Sequence, residues 1–189
     1  MTTFLNRTSD FQIETLFLSR ISYRTFSQER LSEEERLALF EAARWAPSSY
    51  NNQPWRFVYA CREDKEWNTL FDSLVEFNKQ WCRFADTLVV VISKNIHNNK
   101  PSRTASFDTG AAWISLALEA TARNIIAHAM SGFDYAAIKE KLAIPDEFTV
   151  EAMIAIGKPG SKEDLQKEDP PSLRKPLEKT ISRGSFSFQ

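Results

Sequence analysis

The sequence predicts an α+β fold. Several stretches repeat apolar residues at helical spacing, while short runs of β-branched residues read as strands. The two kinds follow one another in irregular order, without the strict alternation of a parallel α/β chain, and with no internal repeat or long linker. A chain of 189 residues can bury a sizeable core and most naturally forms one domain spanning 1–189.

Asp10 is placed to cap a helix over residues 10–20, with Ile13, Leu16 and Phe17 on one face. Residues 20–26 then read as extended, with Arg20, Ser22 and Arg24 alternating onto one side. Ser32-Glu33-Glu34-Glu35 is a capping box that starts a second helix. Leu37, Leu39, Phe40, Ala42, Ala43 and Ala46 surround a single polar stripe of Arg36, Glu41 and Arg44, which predicts a mostly buried helix. Phe57-Val58-Tyr59 reads as a strand. Trp67, Leu70, Phe71, Leu74 and Trp81 recur at helical spacing and predict one amphipathic helix over 65–83.

Leu88-Val89-Val90-Val91-Ile92 reads as a central strand, and residues 95–106 as a polar loop. Asp108 is read as the cap of a helix over 109–123, apolar nearly all round, which belongs at the centre of a fold or in an interface. Strands are expected at 125–129 and 152–156, with a helix over 134–142 between them. Beyond Gly157, Pro159, Pro170, Pro171 and Pro176 punctuate a charged tail unsuited to an ordinary helix. Such a tail is either disordered or draped over another surface, such as a second subunit.

Hydrophobic residues make up 42% and charged residues 26%, as in ordinary globular chains. The 24 Lys+Arg against 25 Asp+Glu argue against a general nucleic-acid binder, which needs a basic excess to track phosphates. No apolar run is long enough to suggest a membrane span. Cys61 and Cys82 lack metal or redox spacing, and His97 and His128 do not complete a zinc set with them. The start shows no secretory pattern, so reduced thiols in the cytoplasm are expected. There is no Gly-x-Gly-x-x-Gly for a nicotinamide Rossmann site and no Gly-x-Ser-x-Gly elbow.

The densest chemistry lies in Ala46-Pro47-Ser48-Ser49-Tyr50-Asn51-Asn52-Gln53-Pro54-Trp55. Pro47 ends the preceding helix, and Pro54 is expected to hold Gln53 extended. The result is a stiff loop crowded with small hydrogen-bonding groups, suited to a flat ligand with polar edges. Upstream stands Arg20-Ile21-Ser22-Tyr23-Arg24-Thr25-Phe26. Guanidinium groups hold phosphate through paired charge-assisted bonds, and a serine hydroxyl adds a short donor. Taken alone, this set also reads as a solvated strand, and the loop as a plain turn.

Together the two motifs resemble the FMN-dependent nitroreductase family, whose pattern is Arg-x-Ser-x-Arg-x-Phe, a helix, then Ala-Pro-Ser-Ser-x-Asn-x-Gln-Pro-Trp. The resemblance runs over residues 20–178. It implies a nitroreductase-like fold, with a central mixed or antiparallel sheet flanked by helices. It implies a homodimer whose C-terminal arm, residues 160–189, extends over the partner, with FMN at the subunit interface.

By the same resemblance, Arg20, Ser22 and Arg24 surround the FMN phosphate and ribityl chain. Pro47, Ser48, Ser49 and Asn51 reach the flavin of the other subunit. Ser131 and Gly132, in Ala129-Met130-Ser131-Gly132-Phe133, lie beside the ring, where a backbone N–H can donate to N5. Arg174, in Leu173-Arg174-Lys175-Pro176-Leu177-Glu178, reaches back to the phosphate. Read without the family, Gly132 allows a close backbone approach or a positive φ. His128, alone among apolar neighbours, is read as structural, and no side chain is assigned as an obligatory acid.

The implied reaction is ping-pong hydride transfer from NAD(P)H through FMN to a nitroaromatic, a quinone or a similar electron-poor small molecule. Another flavin reaction on the same scaffold (dehalogenation, enone reduction or oxidation) stays open, as does a flavin-binding module without turnover. The chain departs from many relatives at Asn124-Ile125, where they carry Gly-Leu, and in a C-terminus that lacks tryptophan.

Overall fold

The computed structural model describes residues 7–167 and 174–188. In chain order the elements are α1 (Thr15–Ser19), α2 (Glu33–Arg44), a 3-10 turn (Ser49–Asn51), β1 (Trp55–Cys61), α3 (Trp67–Phe71), α4 (Glu76–Cys82) and β2 (Thr87–Lys94). They continue with β3 (Ile96–His97), β4 (Lys100–Pro101), α5 (Ala105–Ala122), β5 (Ile126–Met130), α6 (Tyr135–Lys141), β6 (Phe148–Gly157), α7 (Lys162–Lys167) and a second 3-10 turn (Leu177–Lys179). The fold is α+β, and its main sheet has the order β1-β2-β6-β5 with every pairing antiparallel.

Strand β2 sits inside this sheet and is buried from Thr87 to Ser93, which explains its unbroken apolar sequence. Side-chain alternation divides the core in two. Leu88, Val90 and Ile92 join Leu70, Trp81, Ile138 and Met153 on one face. Val89 and Val91 join Leu39, Ala112, Leu116 and Ile154 on the other. Helix α2 begins with the expected capping box, Ser32 Oγ accepting from Glu35 N–H while Glu35 accepts from Ser32 N–H. Buried Asp86 ties this helix to the sheet: its carboxylate accepts from Leu31 N–H, Arg36 Nη1 and Thr87 Oγ1.

Several elements differ from the sequence reading, each for a visible reason. The first helix shrinks to α1, which buries none of its residues, so no packed face stabilises a longer span. Helix α2 buries only Leu39 and Ala43 and leaves Leu37 exposed, so it covers the sheet with one side. The expected helix over 65–83 is two helices. At the break the backbone bonds to a neighbouring segment instead, with Val75 N–H donating to Gly132 O at 3.0 Å and Asp134 N–H to Ser73 O at 2.8 Å.

Within the expected loop 95–106, β3 and β4 form a small hairpin. Helix α5 begins at Ala105 rather than after Asp108, whose side chain is committed elsewhere. Strand β6 is longer than expected, and a short helix, α7, occupies the start of the tail. Pro170 and Pro171 lie outside the described residues. Among the described residues no helix is long and apolar enough to cross a membrane.

Candidate functional site

The extended segment 20–26 is fastened at three points. At its start, Arg7 Nη1 donates to Arg20 O at 2.8 Å and to Leu18 O at 3.2 Å. In its middle, His128 Nδ1 lies 3.1 Å from Tyr23 O, while the His128 ring packs 4.7 Å from that of Trp81. The histidine is therefore a strut between β5 and this segment, as expected from its apolar surroundings. At the far end, Phe26 bridges Pro159, Ser27 N–H donates to Lys158 O and Gly160 N–H to Thr25 O. The close approach needs glycine: a Cβ on Gly157 would meet Phe26 Cδ1 at 2.7 Å.

This fastening gathers positive charge. Arg20 Nη1 donates to Ser22 Oγ at 3.1 Å, so the two share one side as alternation predicts. The Arg20 guanidinium is pushed below its ordinary value by burial first, then by repulsion from Arg7 and Arg174. Arg7 is lowered in the same direction by burial and by Arg174, with Tyr23 opposing. Neither Arg7 nor Arg20 has a carboxylate partner among the described residues. Three guanidinium groups thus share one neighbourhood in which a dianion would be held strongly. Arg24 faces a different neighbour, its Cζ 5.2 Å from the ring centroid of Phe77 in α4.

The loop 47–54 is held by its own contacts. Ser49 N–H donates to Asp108 Oδ2 at 3.1 Å, and Thr104 Oγ1 donates to the same oxygen at 3.0 Å. Ser48 Oγ accepts from Gln53 N–H at 3.0 Å. Tyr50, Asn51 and Gln53 all take left-handed φ, at 52°, 53° and 49°. Gln53 is therefore not extended. The Ser48 hydroxyl and the bond from Gln53 Nε2 to Asn51 O hold it in the turned conformation. Three such residues in one short loop form the kind of constrained backbone found at ligand sites. Pro47 and Asn51 are exposed, while Ser48 and Ser49 are half-buried.

Ser131 and Gly132 follow β5. Gly132 O accepts from both Val75 N–H and Asn78 Nδ2 at 3.0 Å, docking the segment on the start of α4. Gly132 does not have a positive φ; its glycine is required because a Cβ would meet Asn78 Nδ2 at 2.5 Å. The close approach is made by α4.

The structure brings Arg20, Ser22 and Arg174 into one charged neighbourhood and fastens loop 47–54 and Ser131–Gly132 through contacts of their own. Sequence reading missed three participants. Arg7 stands in no motif, and only the folded chain carries it to Arg20. Asp108 was visible as a helix-start carboxylate but assigned to the wrong partner. Asn52 Nδ2 is enclosed without an acceptor among the described residues. Its place beside Asn51 was the available signal.

Residues 18–158, which hold nearly all of these elements, match the Nitroreductase family. The chain belongs to that family. A solved structure of an oxidoreductase containing FMN is 42% identical, covers 100% of both chains and superposes with a TM-score of 0.92. An oxygen-insensitive NADPH nitroreductase of Helicobacter acinonychis (strain Sheeba) is 44% identical over 69 residues, 36% of this chain. An uncharacterised 15.4 kDa protein of Mycolicibacterium smegmatis is 30% identical over 89 residues, 47% of this chain. These matches span 30% of the Helicobacter enzyme and 60% of the Mycolicibacterium protein. As in the nitroreductase family sequence pattern, Arg20 and Ser22 here precede the Pro-Ser-Ser loop by one helix, α2.

Proposed function

We propose that this chain is an FMN-dependent NAD(P)H oxidoreductase that reduces nitroaromatic, quinone or similar electron-poor acceptors. The observation that carries the reading is the convergence of Arg7, Arg20 and Arg174 beside Ser22, with Arg7 and Arg20 lacking carboxylate partners among the described residues. A phosphate monoester carrying roughly two negative charges fits that charge and donor set. The solved relative that contains FMN supports the choice of ligand.

Arg20, Ser22, Arg24 and Arg174 would hold the phosphate end. Ser131 and Gly132 would lie beside the ring, where a backbone N–H could donate to N5, on a segment fixed by Asn78 and Val75. Bound there, FMN would supply the hydride chemistry that links NAD(P)H to the second substrate in ping-pong order. The chain's part is to bind, orient and exclude water, so its own acids and bases stay out of the electron path.

The reading includes a homodimer, with Pro47, Ser48, Ser49 and Asn51 reaching the flavin of the partner and residues 160–189 forming an arm of a single domain. Helix α5 supports it. Phe107 and Ile114 are exposed apolar residues at helical spacing, with Gly110 between them facing open space. A helix-interior glycine costs stability on its own, and a bare face of this kind suits a closely packed second helix. The free thiols of Cys61 and Cys82 agree with a cytoplasmic setting.

The test is the visible spectrum of the purified protein before and after anaerobic NADH or NADPH. A flavin spectrum that bleaches is the expected result. A colourless protein that takes up no added FMN overturns the reading.

A further inference from the structure

We propose that Arg7, from the N-terminal segment, is a binding residue of the anion site and sets its preference for a phosphorylated ligand. The inference rests on the phosphate reading above and goes beyond it, because no motif contains Arg7.

The geometry assigns Arg7 two tasks. One edge of its guanidinium is spent on the chain itself, Nη1 donating to Leu18 O and Arg20 O. That clasp fixes the backbone from which the Arg20 side chain departs. The Nε–H is different: it is enclosed, with no acceptor among the described residues. A guanidinium offers five N–H donors, and an enclosed one left over carries a desolvation cost that a bound acceptor would relieve.

Its surroundings sharpen the point. Arg7 lies within the field of Arg174 and adds its own field to Arg20. A clasp for two carbonyls could be made by a neutral amide, without concentrating like charge. A third guanidinium is useful where a dianion must be drawn in and held against water. The fork geometry suits phosphate oxygens, and desolvated charge strengthens the contact. The described acidic residues do not serve, since Arg7 and Arg20 form no ion pairs with them.

The experiment compares FMN with riboflavin, which differ only by the phosphate. Apoprotein is titrated with each by quenching of flavin fluorescence, for the unmodified chain, Arg7→Gln and Arg7→Lys. Inorganic phosphate competing against FMN supplies the same comparison without the ring. Glutamine keeps donors for the carbonyls and removes the charge; lysine keeps the charge and loses the fork. The expected result is a loss of FMN affinity of about tenfold or more in Arg7→Gln, with riboflavin affinity within about twofold. Arg7→Lys should recover part of the loss.

Equal weakening of FMN and riboflavin in Arg7→Gln would show a clasp alone and overturn the proposal. Unchanged affinity for both would do the same. If Arg7→Gln fails to fold, Arg7→Lys decides: a preference for FMN over riboflavin equal to that of the unmodified chain, despite the lost fork, overturns it. Should the unmodified chain itself not distinguish FMN from riboflavin, the phosphate reading falls together with this one. A normal preference for FMN retained in Arg7→Gln removes only the role of Arg7.

Discussion

The Asp108 carboxylate, buried in the first turn of α5, accepts the backbone N–H of Ser49 at 3.1 Å. This bond connects the longest helix of the chain to the polar loop, and Thr104 Oγ1 completes it from the same side. A loop with three left-handed residues, Tyr50, Asn51 and Gln53, needs such an external hold, because its backbone conformation is unfavourable on its own.

Replacing Asp108 should therefore release the loop. Asp108→Ala is expected to lower stability by about 1.5–3 kcal/mol, the usual cost of removing a charged partner from a buried hydrogen bond. Asp108→Asn keeps an acceptor for Ser49 and should lose less. Urea unfolding of both variants measures the difference, and equal losses would discount the bond.

The arginine segment makes a separate prediction. Arg20→Ala combined with Arg24→Ala should leave the fold intact and strip bound flavin, seen as lost visible absorbance after desalting. Unchanged flavin content in the double variant would sink the phosphate assignment.

Gly132 offers a packing test. In Gly132→Ala the new Cβ would sit 2.5 Å from Asn78 Nδ2 and 3.0 Å from Val75 Cγ2, so the Asn78 amide must move and its bond to Gly132 O is strained. Destabilisation of about 1–3 kcal/mol is expected. Truncating the obstacle as well, in Gly132→Ala with Asn78→Ala, should cost less than the sum of the two single changes. Thermal melts of all four proteins check this, and strict additivity would argue against the clash.

The proposed association surface can be tested with charge. Phe107→Arg with Ile114→Arg should leave circular dichroism unchanged and yield a monomer in sedimentation equilibrium. A dimer that persists in this variant would place the interface elsewhere.

Acidification should act through Glu35. Its carboxyl is held below the usual range, chiefly by the hydrogen bond from Lys158 and then by the Ser32 N–H. A carboxylate lowered in the folded state contributes stability at pH above its unfolded value, and loses it as pH falls through the folded value. Glu35→Gln should thus be less stable than the unmodified chain near neutrality. The gap should close as pH falls from about 5 toward 3. Melting temperatures across that range give the answer, and a gap independent of pH would assign the effect to something other than charge.

The sequence made the local signals legible. The Ser32 capping box and the strand β2 depend on residue type and spacing alone. The break between α3 and α4 was hidden because Trp67, Leu70, Leu74 and Trp81 are all buried, as one continuous helix would also make them. What interrupts it is pairing with residues 132–134, which lie far along the chain. The candidate site divides the same way. Arg20 and Ser22 announce themselves by alternation, whereas Arg7 acquires meaning only through its approach to two carbonyls. Gln53 took a turned backbone because a serine hydroxyl and its own amide hold it, a local competition that the following proline did not win.

The proposed anion site would draw its cations from three separate stretches of chain, around Arg7, Arg20 and Arg174. A nascent polypeptide therefore cannot complete it until synthesis has passed Arg174, and capture of the flavin should fall last in maturation. The same dependence reaches the bench. Loss of the stretch that carries Arg7 should lower pigment content, so the ratio of visible to ultraviolet absorbance is the sounder measure of an intact preparation.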